Sequence, residues 1–351
     1  MSVLEDLRVP IVQAPLAGGP STPQLAAAVS SVGALGFLAA GYLDASRVEA
    51  DIASLRTMTD QRFGVNVFVA PDQPAAAQLV ETYAKSLQAD AERIGVPLGQ
   101  ARFDDDGFAA KVELLCRAQV PVVSFTFGLP RRDVVQRIRA AGSEVWLTVT
   151  SPEEAVAADA LDPDALIVQG LEAGGHRGAH IDDDHAPDFS LLAALQLVRA
   201  EVDRPLIAAG GLATGDAIAA VLASGAAAAQ LGTAYLRCPE AATANVHRAA
   251  LATNTPTVLT RAFTGRLARG LRNRFHDDHG GDAPRAYPEV HHLTAPLRAH
   301  GRTNDDGEIV NLWAGQTHHL ATDEPAATLT LRLAAEAQQA INNAAERLAD
   351  L

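Results

Sequence analysis

A (β/α)8 barrel is the fold this chain predicts, and three observations carry it. Eight short apolar runs recur along its first two-thirds, helical patterns separate them, and every unusual glycine- or amide-bearing motif follows a run on the same side. The runs are 9–13, 34–38, 64–69, 122–125, 145–149, 165–169, 206–209 and 228–232. Near-continuous apolar character is what parallel strands buried on both faces require. The intervening helices open on caps or proline: Ser21-Thr-Pro23, Ser151-Pro152 and Thr214-Gly-Asp216. A doubly wound sheet is the rival, but it seldom needs eight such regular units.

The third crossover, 70–120, is long and predicts two helices. Past the eighth run the pattern changes. Residues 1–238 read as the barrel, and 239–320 as a small, mainly helical second domain leaning over the barrel mouth. That second segment holds eight of the eleven histidines and little strand signal. The Ala-rich, amphipathic end, 324–351, predicts a long helix packing back on the barrel, in a third segment counted from 321. The acidic runs Asp104-Asp-Asp-Gly107 and Asp182-Asp-Asp184 read as solvated turns.

Composition narrows the function. Apolar residues make up 48% of 351, enough for a sizeable core, while aromatics at 5% favour small side chains between helices and sheet. A formal charge of −14 argues against nucleic acid or an anionic membrane as partner. Cys116 and Cys238 are too few for a disulfide scaffold, which fits reducing cytosol. The N-terminus carries Glu5 and Asp6 where a signal peptide needs basic residues. The uncharged stretch 26–43 is broken by Gly33, Gly36 and Gly41, so it reads as helix then strand rather than a span. A cytoplasmic monomer or homodimer is expected.

The motifs at the strand ends belong on one face of a barrel, where active sites are built. They are Gln13-Ala-Pro-Leu-Ala-Gly-Gly19, Asn66, Ser124-Phe-Thr-Phe-Gly128, Gln169–Gly178, Gly210-Gly211 and Gln230-Leu-Gly-Thr233. The last two make an anion site: Gly211 lets amides approach a phosphate, Thr214-Gly-Asp216 starts a helix, and Gly232-Thr233 adds an amide and a hydroxyl. Asn66 and Gln169 are strand-end amides that either cap barrel backbone or meet a heterocycle edge. His176, between Gly174-Gly175 and Gly178, is the acid/base candidate, its imidazole near neutral pKa suiting a general base. Glu172 and Arg177 read as loop-orienting or surface charges. The other histidines lack HExxH spacing, so no metal centre is expected, and no Walker, Rossmann or Gly-x-Ser-x-Gly motif follows a strand.

These residues, with Pro10–Gly19, Phe63-Gly-Val-Asn-Val-Phe68, Tyr287-Pro-Glu-Val and Leu312-Trp-Ala-Gly-Gln316, resemble the nitronate monooxygenase family, formerly 2-nitropropane dioxygenases, in its class I bacterial branch. The resemblance covers most of the chain. It implies an FMN-binding barrel with Asn66, Gln169, Gly174, Gly211 and the stretch Gln230, Leu231, Gly232 and Thr233 as cofactor contacts. Ala17 and Gly18 would lie under the flavin, and His176 would be the active-site histidine. Implied chemistry is single-electron oxidation of an alkyl nitronate, propionate 3-nitronate among the candidates, with O2, to a carbonyl compound and nitrite. Family members carry His where Thr126 stands, Tyr and Lys where His291 and Ala295 follow Tyr287, and Met where Leu16 stands. Thr126, Tyr287 and His291 are therefore the expected substrate residues. The glycine-histidine loop alone also fits NAD(P)H-dependent FMN reductases acting on a quinone or enoyl thioester, and a flavin-storing barrel without turnover is a third possibility.

Overall fold

The computed structural model describes residues 2–71, 73–183 and 188–349. Eight parallel strands form the ring: β1 (Ile11–Gln13), β2 (Gly36–Ala39), β3 (Phe63–Phe68), β4 (Val122–Thr126), β5 (Glu144–Val149), β6 (Ala165–Gln169) and, after the outlying β7 (Gly175–His176), β8 (Leu206–Ala209) and β9 (Ala228–Leu231). Their order is β1-β9-β8-β6-β5-β4-β3-β2, and a parallel bridge between Val12 and Leu35 closes β2 onto β1. Each expected run is a strand, with its ends within two residues of the expectation.

Backbone bonds seal the closing seam, with Gln13 N–H to Leu35 O at 2.8 Å and Leu35 N–H to Ile11 O at 3.0 Å. The buried Gln13 side chain extends the seam by accepting Phe37 N–H at 3.0 Å. Inside the ring, Phe37, Trp146, Ile167 and Ile207 fill the lower half, and Val3, Leu4 and Leu7 of the N-terminal segment close its floor. The barrel below the mouth is therefore a packed core.

The helices α1 (Pro23–Ser31), α2 (Ala45–Met58), α3 (Ala77–Ser86), α4 (Gln88–Ile94), α5 (Phe108–Ala118), α6 (Arg132–Ala140), α7 (Pro152–Asp159), α8 (Leu191–Glu201) and α9 (Gly215–Ala223) run between barrel strands. Side chains of Thr22, Ser151 and Thr214 cap α1, α7 and α9, as the sequence signals imply. The third crossover holds three helices rather than two. Gly95, at φ 69°, ends α4 in the left-handed conformation, and α5 starts only after the acidic turn.

Beyond β9 lie α10 (Asn245–Leu251), β10 (Thr257–Thr260), β11 (Ala268–Leu271), α11 (Arg274–His279) and α12 (Glu289–Thr303). The helices were expected; the strands were not. β10 and β11 form an antiparallel ribbon that also pairs with β7, matching Ala268 with His176. Both strands are only four residues long, and β11 contains arginine and glycine, so neither carries an alternation long enough for a sequence pattern to register. A second apolar cluster joins Val80, Tyr83 and Leu87 of the third crossover to Phe263, Phe275, Val290 and Leu297. The last helix, α13 (Ala326–Ala349), packs on α9 and α1; Asp350 and Leu351 lie outside the described residues. No helix among the described residues is long and apolar enough to cross a membrane.

The acidic turns are not solvated as expected. Asp106 pairs at 2.6 Å with Lys111, whose side chain is 0% exposed, and accepts Tyr42 N–H at 2.9 Å. Burial raises the Asp106 carboxyl above its usual range. Asp104 meets His292 of α12 at 2.7 Å, and Asp182 meets Arg261 at 2.7 Å, while Asp184 lies outside the described residues. The turn between α4 and α5 thus fastens both Tyr42 and α12. Lys111→Met should cost about 3 kcal/mol in urea unfolding by stranding Asp106, and adding Asp106→Asn should recover much of it. Additive losses in the double variant would show that the pair is not coupled.

Candidate active site at the barrel mouth

A cavity of about 430 Å³ opens at the carboxyl ends of the strands. Its floor and walls bring together Ala17, Gly18, Asn66, Thr126, Gln169, Gly174, His176, Gly211, Gln230, Gly232, Thr233 and His291, most of the residues singled out from sequence. Two do not reach it. Leu231 points its side chain into the core while its carbonyl accepts Ala14 N–H at 2.8 Å. Tyr287 sits one layer back, its ring edge-on to His176 at 6.0 Å.

The three strand-end amides differ in what they have left to offer. Asn66 donates to Ser124 Oγ and Thr126 Oγ1, both at 2.9 Å, which leaves its Oδ1 without a donor among the described residues. Gln169 is tied to the loop that follows it, donating to His176 O at 3.1 Å and accepting Gly178 N–H at 2.7 Å. Capping backbone is therefore its main task. Gln230 has a buried Oε1 with no partner among the described residues, and an unpaired buried acceptor is costly unless a ligand supplies the donor.

Two glycine loops form one end of the cavity. Gly211 sits at φ 68°, a conformation that side chains resist, and its carbonyl accepts Thr317 Oγ1–H at 3.1 Å. Thr233 Oγ1 accepts Gly315 N–H at 3.0 Å. The segment from Trp313 to Thr317 thus straps the loops, and a Cβ on Gly174 would lie 2.4 Å from Gly315 N. The N-terminus of α9 is not part of this anion site, contrary to the sequence expectation. Its Gly215 N–H points to Glu336 of α13 at 3.3 Å, and neither Thr214 nor Gly215 lines the cavity. The C-terminal helix has taken that place.

His176 stands on β7, with Nε2 2.9 Å from Thr264 Oγ1. Phe127 and Trp313 approach its ring at 5.6 and 5.4 Å. Burial, with Arg266 and Arg298 nearby, lowers its pKa to about 3. The near-neutral pKa expected from sequence is corrected: the ring is uncharged at physiological pH and a weak base. Arg177 is buried and donates to Gln169 O at 2.9 Å, and Glu172 accepts Leu191 N–H at 3.1 Å, so both fasten the loop.

Of the remaining wall, sequence reasoning named His291 and Ala295 but missed Tyr42, Arg298 and Arg302. Tyr42 lines the cavity and stacks on His291, ring centroids 4.1 Å apart and planes 4° from parallel. Burial holds the Tyr42 phenol near 12 and keeps His291 neutral. On α12, His291, Ala295, Arg298 and Arg302 all face the cavity, spaced i, i+4, i+7 and i+11. That helical spacing was the signal available. Burial lowers the Arg298 pKa to about 10, which still leaves it a cation. Among the described residues, Asp90, Asp278 and His279 could hold an ion, but none lines the cavity and Asp90 already pairs with Arg93 and Arg274.

The nitronate monooxygenase family matches residues 2–336 of this chain. A probable nitronate monooxygenase of Staphylococcus aureus (strain Newman) is 34% identical over 336 residues, 92% of each chain. Among solved structures, nitroalkane oxidase from Streptomyces ansochromogenes superposes with a TM-score of 0.95 at 48% identity, covering 97% of this chain and 99% of that one. FabK from Thermotoga maritima shares the architecture with a TM-score of 0.76 at 25% identity, covering 99% and 97%.

If the two glycine loops seat a phosphate, Gly211→Asp puts a like charge there. Titrated with FMN, that variant should bind on the order of a hundred-fold more weakly than the parent protein. Unchanged affinity would place the phosphate elsewhere.

Proposed function

The chain belongs to the nitronate monooxygenase family, and from that premise we propose that it oxidises alkyl nitronates with O2 through bound FMN, giving a carbonyl compound and nitrite. The cavity suits the cofactor on two counts. The unpartnered Gln230 Oε1 and the free Asn66 Oδ1 ask for the donors of a flat heterocycle, and the loops at Gly211 and Gly232-Thr233 offer amides to a phosphate. FMN would be held by these residues together with Gly174, Ala17 and Gly18, and it supplies one-electron oxidation of the nitronate carbon and reduction of O2.

The observation that carries the nitronate reading is the state of His176. A histidine with a pKa near 3 cannot efficiently remove an α-proton from a neutral nitroalkane. It can donate a hydrogen bond while uncharged, and the arginines that add to burial in keeping it neutral also favour an anion beside it. The substrate therefore arrives already ionised. Thr264 Oγ1 holds the imidazole in place, and Phe127, Tyr287 and Trp313 exclude water around it.

Mixed anaerobically with propionate 3-nitronate, the FMN-loaded protein should lose its oxidised-flavin absorbance, whereas NADH and NADPH should leave it unchanged. Bleaching by the pyridine nucleotides alone would move the protein to the quinone or enoyl-thioester reductases. kcat/KM for freshly prepared nitronate should be level between about pH 5 and pH 8, because His176 stays neutral throughout. A limb near pH 6.5 that disappears in His176→Ala would show that the ring titrates in that range after all. With FMN still bound, His176→Ala itself should lower kcat/KM about a hundred-fold.

A further inference from the structure

Arg298 is 5% exposed, yet no carboxylate pairs with it among the described residues. Its Nε donates to Thr294 Oγ1 at 3.0 Å, and its Nη2 donates to His291 O at 2.7 Å and lies 3.3 Å from His291 Nδ1. Nη1 has no partner among the described residues, and Arg298 lines the cavity. A desolvated cation without a counter-ion is unfavourable unless a ligand brings one.

The neighbouring groups supply no negative charge. His291 and His176 are neutral, and the Tyr42 and Tyr287 phenols are held protonated by burial, their oxygens 3.5 Å apart. Arg302, one turn further along α12, is exposed at the mouth and adds a second positive charge, with Nη1 3.4 Å from Asn311 Oδ1. The glycine loops that suit a phosphate involve neither arginine. We propose that Arg298 is the oxyanion receptor of the substrate pocket, its free guanidinium edge holding a planar two-oxygen anion, nitronate or carboxylate, and so selecting anionic over neutral substrates. The bonds to Thr294 and His291 fix the guanidinium plane and so the direction of the free Nη1 donors, which a flexible lysine ammonium cannot reproduce. The anion's identity as a substrate rests on the nitronate reading; the anion site itself rests on Arg298 and its surroundings.

The test compares parent protein, Arg298→Gln and Arg298→Lys, each loaded with FMN. Sodium nitrate, a planar oxyanion, is titrated first while flavin absorbance and thermal shift are followed. Arg298→Gln should bind nitrate on the order of a hundred-fold more weakly, with Arg298→Lys between the two. Ethylnitronate and propionate 3-nitronate are then compared with neutral nitroethane. A KM rise for both nitronates with kcat nearly kept places the nitronate head on Arg298; a rise for propionate 3-nitronate alone places its carboxylate there. Equal losses for nitronates and nitroethane, or unchanged nitrate binding, would overturn the proposal and leave Arg298 a structural prop for His291. Should Arg298→Gln fail to fold, Ala295→Glu sets a tethered carboxylate one turn before an intact Arg298. That variant should lose nitrate binding, and parent-like binding would equally overturn the proposal. If nitrate binds through Arg298 but no nitronate is oxidised, the functional reading fails and the anion site stands.

Discussion

The site depends on one amide at the end of a barrel strand. Gln169 leaves β6 and immediately ties both ends of its side-chain amide to the following loop, at His176 O and Gly178 N. With its backbone held at that point, His176 can enter a two-residue strand against β11 and expose its ring to the cavity. Arg177 reinforces the turn by reaching back to Gln169 O. A glycine-rich loop would otherwise be the most mobile part of the mouth. Here it is fastened at several points, since the strap from Trp313 to Thr317 also closes over it, with Gln316 N–H on Glu172 O.

That arrangement fixes the electrostatics. The chain as a whole is strongly acidic, but among the described residues no carboxylate lines the cavity. Inside the mouth the titratable groups are neutral imidazoles, neutral phenols and the cations of Arg298 and Arg302. Net charge speaks to solubility and to macromolecular partners; the sign of a desolvated pocket is set by the few groups within several ångströms of it. An acidic protein can therefore hold an anion-selective site.

The barrel was legible in the sequence because each of its strands is buried on both faces and so reads as an unbroken apolar run. The rim was legible for a related reason: glycines, an amide or a histidine directly after such a run have no packing role to explain them. What escaped was whatever depends on chain segments distant in sequence. The β7–β11 pairing joins residues nearly a hundred positions apart, and Arg298 reaches the cavity on α12, which His292–Asp104 and the packing of Val290 and Leu297 help to hold in place. The acidic run at 104–106 looked like a solvated turn because His292 lies far along the chain in α12, and Lys111, only five residues on, is buried by the fold.

The two errors about charge share that origin. The α9 N-terminus has the composition of an anion site, and only the fold shows that Glu336 of the C-terminal helix sits there. His176 carries the residue type of a general base, and only burial, with two arginines nearby, makes it an uncharged, weakly basic ring. In both places the residue type was right and the protonation or occupancy was not, because these belong to the surroundings. Thr126 shows the same logic at the substrate side. Where the family resemblance implies histidine, a threonine accepts from Asn66 and meets Thr148 Oγ1 at 3.2 Å, which turns the Asn66 carbonyl oxygen free for the cavity. A histidine there would add a titratable ring to a pocket that in this chain has only neutral rings and one buried guanidinium, so the threonine leaves Arg298 as the charge that an incoming anion meets.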